Sequence, residues 1–160
     1  MERIARFEKV NELISGVPEC DVILPTRATT GSAGYDFRSP VSFTLAPGEG
    51  ITVNTGVRCR MDEGWVLLLF PRSGLGFKYR LRLDNTVGVI DSDYYHSSNE
   101  GHIMVKLCNR GEKTLTVSKG DAFCQGVFVP FGITEDDTVT TLRDGGLGST
   151  DKKTGNEEKI

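Results

Sequence analysis

The sequence predicts an all-β fold of the sandwich, barrel or jelly-roll kind, and two observations support this. Apolar and polar residues alternate in short runs, as they do along a strand with one buried face. The runs end at clusters of Gly, Pro, Asn and Asp, the residues that turns need. No helical periodicity of useful length accompanies them, so we expect only a few short helical turns, with room for one or two in 73–81.

The alternating runs give the expected strands in chain order. They are 41–45, 51–61, 65–70, 102–107, 114–117 and 122–131, with turn sequences at 46–50, 61–64, 109–113 and 118–121. The second run shows the pattern best. One face is predicted to be buried and consists of Val53, Thr55, Val57, Cys59 and Met61, and the opposite face is polar.

The chain has 160 residues, which suits one domain with a sizeable core. We expect a single β domain over 1–137. Beyond it, 138–160 is rich in Gly, Thr and charged residues and has too little apolar surface to fold alone. This segment is predicted to be a flexible C-terminal arm.

Composition excludes several classes of function. The formal net charge is −3, so stable nucleic-acid binding is not expected. No stretch reaches the ~20 apolar residues of a membrane span, and the N-terminus lacks the apolar core of a secretory signal, so a cytoplasmic protein without membrane contact is predicted. The four cysteines include no C-x-x-C pair and should be buried and reduced. With only His96 and His102, a histidine-dependent hydrolase is not supported.

Polar and glycine-rich clusters at the predicted strand ends are the candidates for chemistry. In 32–37, Asp36 follows Gly34, and taken alone it could simply cap a turn. In 71–76, Arg72 lies among Pro and Gly residues, which suits either an anion-binding loop or an ordinary turn.

Two further clusters contain more specific chemistry. In 84–94, an apolar run ends at Asp91 and Asp93, which on an extended chain would face the same way and could activate water or bind Mg²⁺. A hairpin turn is the alternative reading. In 143–150, Arg143 and two hydroxyl residues surround three glycines, but the Lys of a phosphate-binding P-loop is missing, so a flexible linker is the alternative.

In their order and spacing the clusters resemble the five motifs of the trimeric dUTP pyrophosphatase (dUTPase) family, from about Cys20 to Thr150. The matching segments are AGYDF, PRSG, NTVGVIDSDY, NRGEKTLTVSKGDAFCQGVFVPF and RDGGLGST. The resemblance implies a dUTPase-like β-clip jelly roll, a homotrimer with shared active sites, and Mg²⁺ as cofactor. It also implies a dUTP diphosphatase, in which water attacks the α-phosphorus of dUTP to give dUMP and pyrophosphate. That activity limits uracil incorporation into DNA and supplies dUMP for thymidylate synthesis.

The resemblance also implies a role for each matching residue. Asp91 corresponds to the general base, and Asp36 to the residue that holds Mg²⁺ through water. Tyr94 corresponds to the ring beneath the deoxyribose. The other substrate-binding residues implied are Arg72, Ser73, Gly74 and Gln125 for phosphates, Asn85, Gly88, Val89 and Ile90 for uracil, and Arg143, Leu147, Gly148, Ser149 and Thr150 in the last motif.

Two departures from the family pattern support a rival reading. Leu147 stands where the family has a stacking Phe, and Asp151 stands where it commonly has Gly. Both would suit a catalytically weak relative that acts as a regulatory, protein-binding module. A second rival, dCTP deaminase, needs a Glu where this chain has Lys106. The segment 95–100 is longer than the shortest family turns and is expected to be a surface loop.

Overall fold

A computed structural model describes residues 2–143, and their secondary structure is mostly β. The strands are β1 (Ala5–Lys9), β2 (Thr26–Arg27), β3 (Tyr35–Arg38), β4 (Phe43–Leu45), β5 (Gly50–Asn54), β6 (Val57–Met61), β7 (Trp65–Pro71), β8 (Leu81–Leu83), β9 (Gly88–Ile90), β10 (Met104–Asn109), β11 (Leu115–Val117) and β12 (Ala122–Pro130). The helices are short: α1 (Glu12–Ser15), α2 (Ser73–Tyr79) and 3-10 turns at Glu19–Asp21 and Ser92–His96. The predicted all-β class with a few helical turns is confirmed. Within 2–143, no helix has the length and apolar character that crossing a membrane requires.

Within residues 2–143 the strands form four antiparallel sheets. The largest has the order β2-β3-β12-β7-β9, so β12 lies at its centre and β9 at one edge. A three-stranded sheet has the order β5-β10-β8, and β1-β6 and β4-β11 form two-stranded sheets. Consecutive strands often belong to different sheets. The sheets pack with their inward faces toward one another and so enclose a common interior.

That interior is one hydrophobic core to which all four sheets contribute. Phe37, Leu67 and Phe123 are at most 1% exposed. Gly126 on β12 shows how closely the sheet packs, since a Cβ there would lie 2.8 Å from Leu67 Cδ1 and 3.0 Å from Phe37 Cε2. The central strand therefore has no room for a side chain at this position.

The run 51–61 is two strands and not one, although its predicted buried face is confirmed at all five positions. The break falls at Gly56, whose φ of 68° an extended strand cannot accommodate. β5 pairs with β10 before this turn and β6 pairs with β1 after it. One amphipathic run thus serves two sheets.

One other sequence-based expectation is wrong, and one alternative reading is excluded. Cys20 is exposed, whereas the other three cysteines are buried, and all four are free thiols. Asp36 lies inside β3, paired with residues of β2 and β12, so it does not cap a turn. The boundary at 137/138 stays a prediction: 138–143 have no regular secondary structure, and 144–160 lie outside the described residues.

Candidate active site

The acidic pair Asp91 and Asp93 lies where edge strand β9 passes into the 3-10 helix Ser92–His96. Both carboxylates are about half exposed and both contact Arg143, whose Nη2 is 2.6 Å from Asp91 Oδ2 and whose Nε is 2.9 Å from Asp93 Oδ1. The expectation of an extended chain through the pair is wrong, because a helical turn starts after Asp91. The two acids nevertheless meet at one cation, and Arg143 is only 15% exposed there.

A pocket of about 190 Å³ opens beside this pair. It is lined by Val89, Ile90, Asp91, Tyr94, Ile103, Met104 and Arg143. Ile103 and Met104 were not predicted as site residues, because their only signal in the sequence is membership of an apolar run. The pocket thus combines an apolar lining with one carboxylate and one guanidinium.

Tyr94 lies in the wall of this pocket and is 6% exposed. Its hydroxyl donates to the His102 carbonyl at 2.8 Å and accepts from Asn99 Nδ2 at 2.8 Å. The Arg143 guanidinium carbon is 5.7 Å from the ring centroid, which is within cation–π range. The ring is therefore held at its hydroxyl end and faces the guanidinium.

Histidine 102 itself accepts a hydrogen bond at Nε2 from the Gly56 amide at 3.1 Å. Burial lowers the pKa of His102, since the charged imidazolium loses hydration in the interior. Its accepting nitrogen also requires the neutral ring. The His102 ring is thus engaged by the backbone of Gly56, and His102 is not among the residues that line the pocket beside Asp91.

A second cluster contains Asp36, Arg72 and Gln125. Register places Gln125 of β12 opposite Asp36 of β3 on one side and Phe70 of β7 on the other. Arg72 Nε is 3.2 Å from Asp36 Oδ1, and Gln125 Nε2 donates to the Pro71 carbonyl at 3.3 Å. Three residues of separate sequence motifs therefore meet at one end of the five-stranded sheet.

Glycine and helix residues complete the second cluster. A Cβ at Gly34 would lie 2.6 Å from Gln125 Oε1, so a side chain at that position would collide with the amide. Ser73 and Gly74 begin α2, directly after Arg72. The cluster presents a guanidinium, an amide and a hydroxyl to solvent around one carboxylate, a set of donors suited to a polyanion.

Asn85 lies in the exposed turn between β8 and β9. The hydrogen bonds of this turn do not link Asn85 to either cluster. The turn is closed by Thr86 N to Leu83 O at 3.0 Å and Val87 N to Asn85 O at 2.7 Å, and Thr86 has a φ of 68°. At Gly88 a Cβ would lie 3.0 Å from Leu69 Cβ. Only Val89 and Ile90 of the predicted uracil segment line the pocket beside Asp91.

The two clusters lie at opposite ends of the five-stranded sheet. Ile90 pairs with Leu67 near the start of β7, whereas Arg72 follows the last residue of that strand. At about 3.3 Å per residue and 4.8 Å per strand, the backbone of Asp91 lies about 20 Å across the sheet from that of Arg72 and from that of Asp36. The described residues of one chain therefore do not bring the base candidate and the phosphate-binding candidates together.

Metal binding by protein side chains alone is not supported within 2–143, where no three His, Cys, Asp or Glu residues cluster as ligands. Asp36 is the acidic residue nearest the donor groups, and its Oδ1 is engaged by Arg72. Leu147, Gly148, Ser149 and Thr150, predicted to belong to the last motif, lie outside the described residues.

Known proteins provide an independent comparison. The dUTPase family model matches residues 21–151. The chain is 37% identical over 142 residues to the deoxyuridine 5'-triphosphate nucleotidohydrolase of Lactococcus lactis subsp. lactis, with 87% of this chain and 95% of the relative covered. It is 41% identical over 138 residues to that of Cronobacter sakazakii, covering 81% and 88%.

Solved structures agree with the sequence relatives. A crystal structure of dUTPase from Streptococcus mutans superposes with a TM-score of 0.68 at 38% identity, covering 81% of this chain and 98% of that one. A mutant dUTPase from phage phi11 of S. aureus, described with a structural Mg(II) ion, has a TM-score of 0.67 at 23% identity and covers 89% and 100%. The family match extends over most of the chain, from before Asp36 to beyond Thr150, and the chain therefore belongs to the dUTPase family.

Proposed function

We propose that this chain is a dUTP diphosphatase that hydrolyses dUTP to dUMP and pyrophosphate. The observation that carries the proposal is the pocket beside Asp91, where a half-exposed carboxylate borders an apolar cavity with a buried Tyr94 in its wall. A mostly apolar pocket with a few polar groups is the lining that a nucleoside would require, and the carboxylate stands at its edge where the phosphates would begin. Family membership and the names of the relatives support the same substrate.

Asp91 is proposed as the general base. A base has to be open to water and within hydrogen-bonding distance of it, and the half-exposed side chain of Asp91 meets the first requirement. It would orient a water molecule toward the α-phosphorus and accept its proton as the bond to the bridging oxygen breaks. Before this step Arg143, which contacts Asp91 here, would leave the carboxylate for the terminal phosphate and so free Asp91 to bind the water.

Uracil recognition is proposed for the segment 85–90. β9 is the outer strand of its sheet, so on its side away from β7 backbone N–H and C=O groups face no strand among the described residues. These groups, with the Asn85 side chain, would pair with the donor and acceptor edge of uracil. In cytosine part of this donor and acceptor pattern is reversed. Hydrogen-bonding groups of the site would then be mispaired, which is costly in a desolvated site.

The active site is proposed to be shared between the chains of a homotrimer. Triphosphate oxygens cannot extend over the roughly 20 Å between Asp91 and the cluster of Asp36, Arg72 and Gln125. A neighbouring copy could supply that cluster, together with Ser73 and Gly74. Head-to-tail contacts of this kind close into a ring when the rotation between copies permits it.

Magnesium is proposed as the cofactor on the basis of the family resemblance; for the phage phi11 dUTPase a structural Mg(II) ion is described. Asp36 has one oxygen against Arg72 and one remaining, which suits contact with a hydrated ion better than direct ligation. When bound, the ion would neutralise charge on the triphosphate. Arg72 and Gln125 would hold the same phosphates by hydrogen bonds, and Leu147, Gly148, Ser149 and Thr150 are proposed to cover them.

A cytoplasmic location is proposed, where the reaction limits uracil in DNA and provides dUMP. The rival deaminase reading has little support, because Lys106 is 66% exposed and paired with Asp84 at 3.1 Å. A regulatory protein partner remains a secondary proposal, supported only by Leu147 and Asp151.

Pyrophosphate release from dUTP, dCTP, dTTP and UTP, with and without Mg²⁺, tests the proposal. We expect activity with dUTP and Mg²⁺ only, and Asp91→Asn should lower kcat by about 10²- to 10⁴-fold, the usual contribution of a general base. Asp62→Asn, an exposed acid outside the site, is the matched control and should retain activity. Ammonia release from dCTP, or full activity of Asp91→Asn, would contradict the assignment.

A further inference from the structure

The loop between the 3-10 helix Ser92–His96 and β10 folds back over Tyr94. Ser97 Oγ lies 2.7 Å from the Tyr94 carbonyl, and the Gly101 amide donates to both Ser97 Oγ and Asn99 Oδ1 at 3.2 Å. Gly101 has a φ of 71°, and a Cβ there would lie 2.7 Å from Tyr95 Cα. The loop is thus a closed turn built against the backbone of Tyr94.

Asn99 connects this turn to the Tyr94 side chain. Its Nδ2 donates to Tyr94 Oη at 2.8 Å, and its Oδ1 accepts from Gly101 N and lies 2.6 Å from Ser97 Oγ. Both ends of the amide therefore have partners, which determines its orientation. The Tyr94 hydroxyl in turn has one donor, Asn99, and one acceptor, the His102 carbonyl.

We infer that Asn99 is a positioning residue for sugar discrimination. The inference rests on the proposed function and on the role that the family resemblance implies for Tyr94, whose ring would pack against the deoxyribose. A ring held at its hydroxyl by two hydrogen bonds cannot tilt without leaving buried polar groups unpaired, and that loss opposes movement. It therefore keeps its place when a ribonucleotide presents a 2′-hydroxyl, which would meet an apolar ring face with no hydrogen-bond partner.

A double-mutant cycle in the full chain tests this inference. The variants are Asn99→Leu, which removes the amide at similar size, Tyr94→Phe, which removes the hydroxyl, and the double variant. Ser98→Ala is the matched control, because Ser98 is an exposed neighbour in the same loop. The measurements are kcat/KM for dUTP and for UTP, with the melting temperature of each variant.

We expect the dUTP/UTP ratio of kcat/KM to fall about two- to tenfold in Asn99→Leu and in Tyr94→Phe, the range that one net hydrogen bond gives. The double variant should fall no further, because both changes remove the same contact. Ser98→Ala should match wild type. An unchanged ratio in a destabilised Asn99→Leu would show that Asn99 serves stability alone. Additive effects in the double variant would show that Asn99 does not act through the Tyr94 hydroxyl.

The outcome is separable from that of the proposed function. If Asn99→Leu does not fold, Tyr94→Phe still decides whether the held hydroxyl sets the ratio. Calorimetric Kd values for dUDP and UDP give the same preference without turnover. Hydrolysis of dUTP by wild type together with an unchanged ratio in the variants defeats only the inference, whereas wild type that neither hydrolyses dUTP nor binds dUDP defeats both.

Discussion

Two inactive variants, Asp91→Asn and Arg72→Ala, should restore activity when they assemble in one oligomer. The residues lie at opposite ends of the five-stranded sheet, about 20 Å apart by strand register. If each active site takes Asp91 from one chain and Arg72 from the next, a site between an Arg72→Ala chain and an Asp91→Asn chain contains both native side chains.

The size of the recovery follows from the geometry of a closed ring of three chains. In an equal, random mixture the required neighbour pair occurs with a chance of one half times one half, so about one quarter of wild-type activity should return. A three-to-one mixture lowers this to about three sixteenths. Either value lies far above the residual activity of a general-base variant.

The assay is pyrophosphate release after the two proteins are unfolded, mixed and refolded together, compared with each protein refolded alone. A matched control mixes Arg72→Ala with Gln125→Ala, two changes in the same cluster. Every site in that mixture receives a damaged cluster, so no such recovery is expected. If the Asp91→Asn and Arg72→Ala mixture stays at the level of its parents, the site is complete within one chain and the shared-site reasoning is refuted.

Two further predictions concern stability. Burial lowers the pKa of His102 in the folded protein, so below pH 7 the unfolded chain binds a proton at this residue more readily than the folded protein does. The free energy of unfolding therefore has its full value above the unfolded pKa of about 6.5 and falls as the pH drops below it. In His102→Gln the amide can still accept from the Gly56 N–H, so the pH dependence of urea unfolding between pH 7.5 and 5.5 should become flatter. His96→Gln changes an exposed histidine and should leave the dependence unchanged. Equal slopes for wild type and both variants would contradict the prediction. Gly126→Ala should cost about 1–3 kcal/mol of unfolding free energy by overpacking β12, whereas Gly31→Ala, with no atom within 4 Å of the added Cβ, should be nearly neutral by the same measurement. Equal stability of the two alanine variants would mean that the core accommodates the methyl group added at Gly126 without strain.

Local chemistry made the fold class and the motifs predictable. Alternation identified the buried face of 51–61 correctly, because on a strand each second side chain faces the core whichever sheet it joins. The same alternation could not reveal the division at Gly56, since the change of partner from β10 to β1 depends on distant residues. For the same reason Asp36 was compatible with a turn until its partners in β2 and β12 were known.

The candidate site divides in the same way. The residues Asp36, Arg72, Asp91 and Gln125 could be named from the sequence through the order of the motifs and the resemblance that they carry. Their grouping could not, because motif order contains no distances. Only strand register shows that three of them meet at one end of a sheet while Asp91 lies at the other.

The sequence by itself therefore determined the all-β class, the absence of long helices among the expected elements, and the family resemblance, all of which depend on short-range pattern. Tertiary structure decided which strands pair, that Arg143 meets Asp91 and Asp93, and that Asn99 holds the Tyr94 hydroxyl. These contacts depend on where the folded chain places the residues in space. A hydrogen bond or ion pair depends on distances of about 3 Å, which sequence separation does not specify.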